Sequence, residues 1–329
     1  MPLTTFSGVD LSALLDVDSR EAKAFTTYMG YWVALAAHIN EAYGRQPYGG
    51  VLADLQQRRV FKRLSGGRRP DPEQLDQARA FLLSGWVAEL KLHIICLDDP
   101  ARLRLANHGA PIDAYYATSR HASAFLLLRD QNVPMTHRGL LNAASGLVHG
   151  TNLMPAPWNL HCLSTKPSPV YGGFPTPPGA CSNLALGVDR HDVTGMLLRT
   201  TRDRGIADLV DKSKRERKLK KAPAGEAARC DSRLAPTTLF DFAWRMRHRS
   251  NYGDPALFYV GALDDHRTRL YAEAVRTWTA ATMFLFEALL AQRARPLLED
   301  AAVHFISRDR TDLSKQLIVP RLKALGALA

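Results

Sequence analysis

The sequence predicts an all-α protein, and three observations carry that prediction. Apolar residues recur at helical spacing through most of the chain. Capping residues and prolines stand where those stretches begin, and glycines where several end. Neither an internal repeat nor a set of alternating strand patterns is present.

Asp18-Ser19 reads as the cap of a helix running to Tyr43 and stopped by Gly44, with Phe25, Met29, Trp32, Leu35, Ala36 and Ile39 on its core face. A shorter helix over Val51–Leu64 ends at the turn Ser65-Gly-Gly-Arg-Arg-Pro70. Asp71-Pro72-Glu73 opens the next, because proline is tolerated at the first helical position. Leu75, Phe81, Leu82, Trp86, Leu90, Ile94 and Leu97 form its apolar stripe. Pro111 opens a helix through Gln131, and after the loop Asn132-Val-Pro-Met another runs from Thr136-His137 to His149.

The texture then changes. Seven prolines lie between Pro155 and Pro178, a density no helix survives, with room for a short strand at Val170-Tyr171, and any sheet is expected to be confined to a small strand pair in 155–180. A helix over Asp192–Leu209 runs into Lys212–Lys221, seven basic residues in ten, read as a solvated arm suited to phosphate contact. Ala222–Arg233 reads as a flexible connection. The focal helix follows, then a long helix over Asp265–Arg293 and two short ones, Pro296–Ser307 and Asp312–Ala327.

That focal helix is Thr237-Thr-Leu-Phe-Asp-Phe-Ala-Trp-Arg-Met-Arg-His-Arg-Ser-Asn-Tyr252. Thr238 caps it and Asp241 sets a carboxylate near its free N–H groups, while Gly253-Asp254-Pro255 stops it. Arg245, Arg247, His248 and Arg249 place four basic or titratable groups in five positions. Such a cluster suits an anionic ligand or an RNA backbone. It equally suits a helix C-terminus whose arginines complement the macrodipole.

Net charge is +11 with a pI near 9.7, which points toward nucleic acid or another polyanion. The excess has a location, since residues 190–250 hold 16 Lys or Arg against 8 Asp or Glu. At 329 residues and 46% hydrophobic content the chain fits two domains or one elaborated domain with a sizeable core. Cys96, Cys162, Cys181 and Cys230 are scattered, so neither His93/Cys96 nor His161/Cys162 has metal-knuckle spacing; the expectation is no metal, no cofactor and reduced thiols. Met1-Pro2-Leu3 starts no signal segment, and no apolar run reaches the ~20 residues that span a bilayer. The reading is a soluble, cytoplasmic protein without membrane partners. Phosphate-loop, dinucleotide, zinc-protease and nucleophile-elbow motifs are all missing.

Two patches together resemble the HEPN superfamily (higher eukaryote and prokaryote nucleotide-binding). One is Ala114-Tyr-Tyr-Ala-Thr-Ser-Arg-His-Ala-Ser-Ala-Phe-Leu-Leu-Leu128 with Thr136-His137-Arg138-Gly139; the other is Arg245-Met-Arg-His-Arg-Ser-Asn-Tyr252 with the helix around Ala272–Leu290. The resemblance implies a HEPN-like bundle built from 109–150 and 235–295. Around it lie an N-terminal helical extension (1–108), a Pro-rich and basic insertion (151–234) and C-terminal helices (296–329). Within the bundle Tyr115, Tyr116 and Arg120 are expected to approach the 245–252 segment.

It further implies an RNA-directed protein of a bacterial toxin or defence system, with homodimerisation and a neutralising or regulatory protein partner. Active members are metal-independent ribonucleases using an Arg and a His a few residues apart. Arg102-Leu-Arg-Leu-Ala-Asn-His108 matches that spacing but precedes the first matching helix. At the family position the candidates for catalysis are Arg245, Arg247, His248, Asn251 and Tyr252, with no His at the far end. His121 and His137 are further candidates for proton transfer, because an imidazole titrates near neutral pH. Nucleic-acid contacts are expected from Lys214, Arg215, Arg217, Lys218, Lys220, Lys221, Arg120 and His121. Two other readings stay open: a non-catalytic binding module for nucleic acid or nucleotide, and an assembly protein whose basic arm docks on an acidic partner.

Overall fold

A computed structural model describes residues 20–44, 47–67, 69–130, 136–165, 170–171, 174–175, 190–253, 257–260 and 264–328. The chain is all-α. In order, α1 spans Arg20–Tyr43, α2 Pro47–Gln57, α3 Arg59–Lys62, α4 Pro72–His93, α5 Pro100–Ala106, α6 Ala110–Asp130 and α7 His137–Gly150. The second half holds α8 Arg190–Glu216, α9 Glu226–Arg233, α10 Leu239–His248, α11 Leu257–Val260, α12 Asp265–Arg308 and α13 Leu313–Ala324. The cap read at Asp18-Ser19 and the loop 132–135 lie outside the described residues.

The helix starts are set locally. Asp71 accepts the Gln74 N–H at 2.8 Å while the Gln74 side chain accepts the Asp71 N–H, a reciprocal cap on α4. Thr136 caps α7 through the Gly139 N–H. The long helix is α12, buried on nearly every face from Leu270 to Ala291, as a helix surrounded by others must be. It kinks at Ala294 (φ −155°, ψ 60°), two residues before Pro296, so the two helices read there form one bent element. Around it pack α1, α4 and α6, with α2, α5 and α13 closing the flanks. One hydrophobic cluster runs from Phe25 to Ala327 and includes Trp158 and Leu160 from the start of the Pro-rich stretch.

Helices α4 and α6 pack closely because Gly85 has no side chain. A Cβ there would sit 2.3 Å from His121 Nδ1 and 3.1 Å from the Ala117 carbonyl. Among the described residues no helix is long and apolar enough to cross a membrane.

Three expectations need correction. A strand pair does lie at Val170–Tyr171 (β2) and Phe174–Pro175 (β3), but pairing is not confined to that stretch. His161–Cys162 (β1) pairs antiparallel with Thr237–Thr238 (β4), drawing the Pro-rich excursion back to the head of α10. The basic arm is in part helix, since α8 continues to Glu216 before the chain turns at Lys218 (φ 53°). Ala222–Arg233 contains α9, pinned by the buried Arg202 of α8. Arg202 Nε donates to Asp231 Oδ1 at 2.6 Å, Nη2 to the Asp231 carbonyl at 2.7 Å and Nη1 to the Ala235 carbonyl at 2.9 Å.

Candidate nucleic-acid interface

Helix α10 decides what the site contains. Its cap is Thr238, whose N–H donates to Asp241 Oδ2 at 2.8 Å; burial pushes the Asp241 carboxyl upward, opposed by those hydrogen bonds. Phe240, Ala243 and Arg247 stand at i, i+3 and i+7 and face inward. Arg245, His248 and Arg249 line the outer side. Past His248 the helix widens into a π turn over Arg249–Gly253. Buried Ser250 anchors that turn, its hydroxyl donating to the His108 carbonyl while His108 Nε2 lies 3.0 Å from the Ser250 carbonyl. Asn251 and Tyr252 are left exposed beyond it.

Arg247 therefore sits behind the surface. It is 6% exposed, and its Nη2 donates to Tyr116 Oη at 2.8 Å. Its guanidinium carbon lies 4.7 Å from the Trp244 ring centre, 5.1 Å from Tyr116 and 5.6 Å from Tyr115, a cation held by π faces. Among the described residues no carboxylate pairs with it, and its Nε has no hydrogen-bond partner. Tyr115 and Tyr116 thus meet the 245–252 segment as expected.

Just outside lies His137. Its Nδ1 shares a 2.8 Å hydrogen bond with Tyr115 Oη, and its ring stacks on Trp244 at 4.7 Å and 29°. Partial burial, then Arg247 and Arg120, lower the imidazole's pKa. Trp244 also touches His248 (6.0 Å), which touches Tyr252 (5.3 Å).

Between α7, α8, α9 and α10 opens a cleft of about 840 Å³. Eight of its lining residues are Lys or Arg and four are Asp or Glu, so its walls are cationic. Three helices supply this by repeating charge along one face: Arg204 and Lys212 eight residues apart on α8, Arg229 and Arg233 four apart on α9, and Arg245 on α10 with Arg249 four residues later in the π turn. Arg245 is steadied by Thr200 Oγ1 (2.8 Å) and Thr201 Oγ1 (3.2 Å) and lies over Tyr28, while its Nε has no hydrogen-bond partner. Arg217 lines the cleft too, 3.7 Å from Glu226, which also holds Ser213 and Arg229.

Of the residues named from sequence, Arg245, His248, Arg249 and Arg217 reach the cleft, and Arg247 lies beneath it. Arg120 is half-buried over Phe81, on the same helix as the tyrosines. His121 is fully buried, 3.1 Å from the Ala117 carbonyl and 3.5 Å from Glu287, and cannot meet a surface ligand. Lys214 and Arg215 lie at the end of α8 turned to Asp211, and Lys218, Lys220 and Lys221 are exposed outside the cleft. Arg138 on α7, Arg204 on α8 and Arg229 and Arg233 on α9 also line the cleft, and no pattern in the sequence marks them as cleft residues. Among the described residues no group of three or more His, Cys, Asp or Glu is placed to hold a metal.

Comparison with protein-family models, curated proteins and solved structures yields no match.

Proposed function

We propose that the chain binds RNA in the cleft between α7 and α10, as an RNA-directed protein of the HEPN-like kind with a role in a bacterial toxin or defence system. The observation that carries this reading is the convergence of cations from three helices on one cleft of about 840 Å³. A phosphate backbone repeats negative charge along a groove in the same way, and releases counterions when Lys and Arg neutralise it. Homodimerisation and a neutralising or regulatory protein partner belong to the same proposal.

The test is an anisotropy titration with a short labelled RNA at low salt. Saturable binding is expected, and replacing exposed Arg204 and Arg233 by Ala should weaken it by at least ~10-fold, the equivalent of one or two charge-assisted hydrogen bonds. No saturable binding by the wild type rejects the proposal.

A second reading, RNA cleavage without a metal, is favoured by His137 and His248 both touching Trp244. The lowered pKa of His137 suits a base for a ribose hydroxyl, and His248 would protonate the leaving oxygen beside Arg245 and Arg249. Arg247, shielded by rings, would act by holding Trp244 and Tyr116. Cleavage of end-labelled RNA should persist in EDTA and fall by ~100-fold or more in His248→Ala, the scale of general acid–base catalysis. RNA that is bound but stays intact leaves the binding module as the function.

A further inference from the structure

We infer that the exposed His137–Trp244 stack is a nucleobase platform, so that the cleft selects a single-stranded nucleic acid by its bases as well as its phosphates. This rests on the RNA-binding reading of the cleft and adds to it the part of the ligand that phosphate contacts leave unread.

The first ground is the distribution of tryptophan. Trp32, Trp86, Trp158 and Trp278 are fully buried. Trp86 and Trp158 spend their ring N–H on Glu287 and Thr282, both at 2.8 Å. Trp244 alone is partly open, and it lines the cationic cleft. The second ground is that its neighbours on the surface are rings. His137, exposed, lies nearly parallel to it at 4.7 Å. On another side exposed His248 and then Tyr252, 65% exposed, continue the row.

The third ground is rigidity. Tyr115 fixes the His137 ring through its hydroxyl, and Arg247 holds the indole by a cation–π contact at 4.7 Å. A platform ordered in advance loses little freedom when a ligand lands on it. An imidazole kept neutral offers a base an uncharged face, and the lowered His137 pKa acts in that direction. Bases stack on aromatic side chains in a sequence-tolerant way because every base has a π face. A duplex, whose bases already stack on each other, offers no such face, and neither does a polyanion without bases.

The experiment compares oligoadenylate with inorganic polyphosphate on the full-length chain at low salt, reading binding by calorimetry and tryptophan emission in parallel. Both ligands should bind. Only oligoadenylate should change the emission, because Trp244 is the one tryptophan a ligand can touch, and Trp244→Phe should abolish that change. His137→Ala should weaken oligoadenylate by about 5- to 100-fold while polyphosphate stays within about twofold, and His137→Phe should restore the oligoadenylate affinity. Equal losses for the two ligands, or an emission change that survives Trp244→Phe, overturns the platform and leaves the phosphate-binding cleft standing. Failure of both ligands to bind the wild type overturns the cleft reading and the platform together.

Discussion

Among the described residues three arginines are buried, Arg202, Arg247 and Arg321, and their surroundings differ. Arg321 of α13 is fully enclosed and meets two equally enclosed carboxylates. Its Nη2 lies 2.7 Å from Glu89 and 2.9 Å from Glu287, and its Nη1 makes a further short bond to Glu89. Arg202 holds Asp231 and a ring of carbonyls. Arg247 has no acid beside it among the described residues, only three aromatic faces and one phenol. Burial penalises a lone charge heavily, so a fold that needs only stability neutralises it, as at Arg321 and Arg202. The residual positive charge at Arg247 lies beneath the one partly open tryptophan and next to the cationic cleft. The core cluster holds helices together, and the Arg247 cluster leaves charge uncancelled where an anion would come.

Substitution separates the two clusters most widely. Arg321→Met strands two carboxylates in the core and is expected to cost about 3–5 kcal/mol, the range for removing one partner of a buried pair. Arg247→Met strands none. Its loss is one hydrogen bond and some ring contact, about 1 kcal/mol, with the larger effect on RNA affinity. Urea midpoints of the two variants check this, and equal destabilisation would erase the distinction between the clusters.

Acid titration probes the paired cluster next. Burial pushes the Glu287 carboxyl up, but Arg321 and His121 overcome that and hold it at about 2. A depressed carboxylate contributes stability above its unfolded value of 4.5, lost as pH falls toward about 2. His93 is lowered to about 3 by burial, Arg276 and Arg321. The unfolded chain takes up that proton first, so stability also falls from about pH 6.5 to 3. The urea midpoint should therefore be flat above about pH 6.5 and decline in two overlapping stages below it. His93→Phe should shrink the upper stage to what the lowered His137 contributes, and Arg321→Met should remove the contribution of Glu287 to the lower one. A midpoint unchanged between pH 6.5 and 3 in the wild type contradicts both assignments.

Much of the fold was legible because helix signals are local. The Asp71 cap with Pro72, the Thr238–Asp241 cap and the stripe on α1 needed no knowledge of neighbours. What stayed hidden depends on partners distant in sequence. Helix α9 buries only Glu226 and Cys230, and it is held by Arg202 from α8, which no periodicity reveals. The β1–β4 pair is two residues long on each side and joins segments far apart in sequence. The two misplaced site residues are a different matter. His121 follows Ala114 and Ala117 and precedes Phe125 and Leu128 on the buried stripe of α6, and Arg247 shares its face with Phe240 and Ala243. Their spacing assigns both to the interior, although their chemistry suits a surface site. Arg204, Arg229 and Arg233 show the converse, ordinary surface arginines until α8, α9 and α10 face one another across the cleft.

The smallest expected effect extends the paired-versus-unpaired distinction to the arm. Lys214 lies 3.4 Å from Asp211 and Arg217 lies 3.7 Å from Glu226, so each has an acid to leave before it meets a phosphate. Lys218, Lys220 and Lys221 are exposed and sit past the end of α8. For single strands each phosphate neutralised adds about 0.7 to the slope of log affinity against log salt. Replacing Lys218, Lys220 and Lys221 by Ala should therefore flatten the slope by up to about 2, whereas Lys214→Ala and Arg217→Ala should each change it by less than about 0.7. Thermal stability should hold in all of them, since surface ion pairs contribute at most about 1 kcal/mol. The opposite ranking would mean that Asp211 and Glu226 position their cations for phosphate instead of competing for them. A slope that none of these substitutions moves would place the phosphate track wholly inside the cleft, on Arg204, Arg233, Arg245 and Arg249.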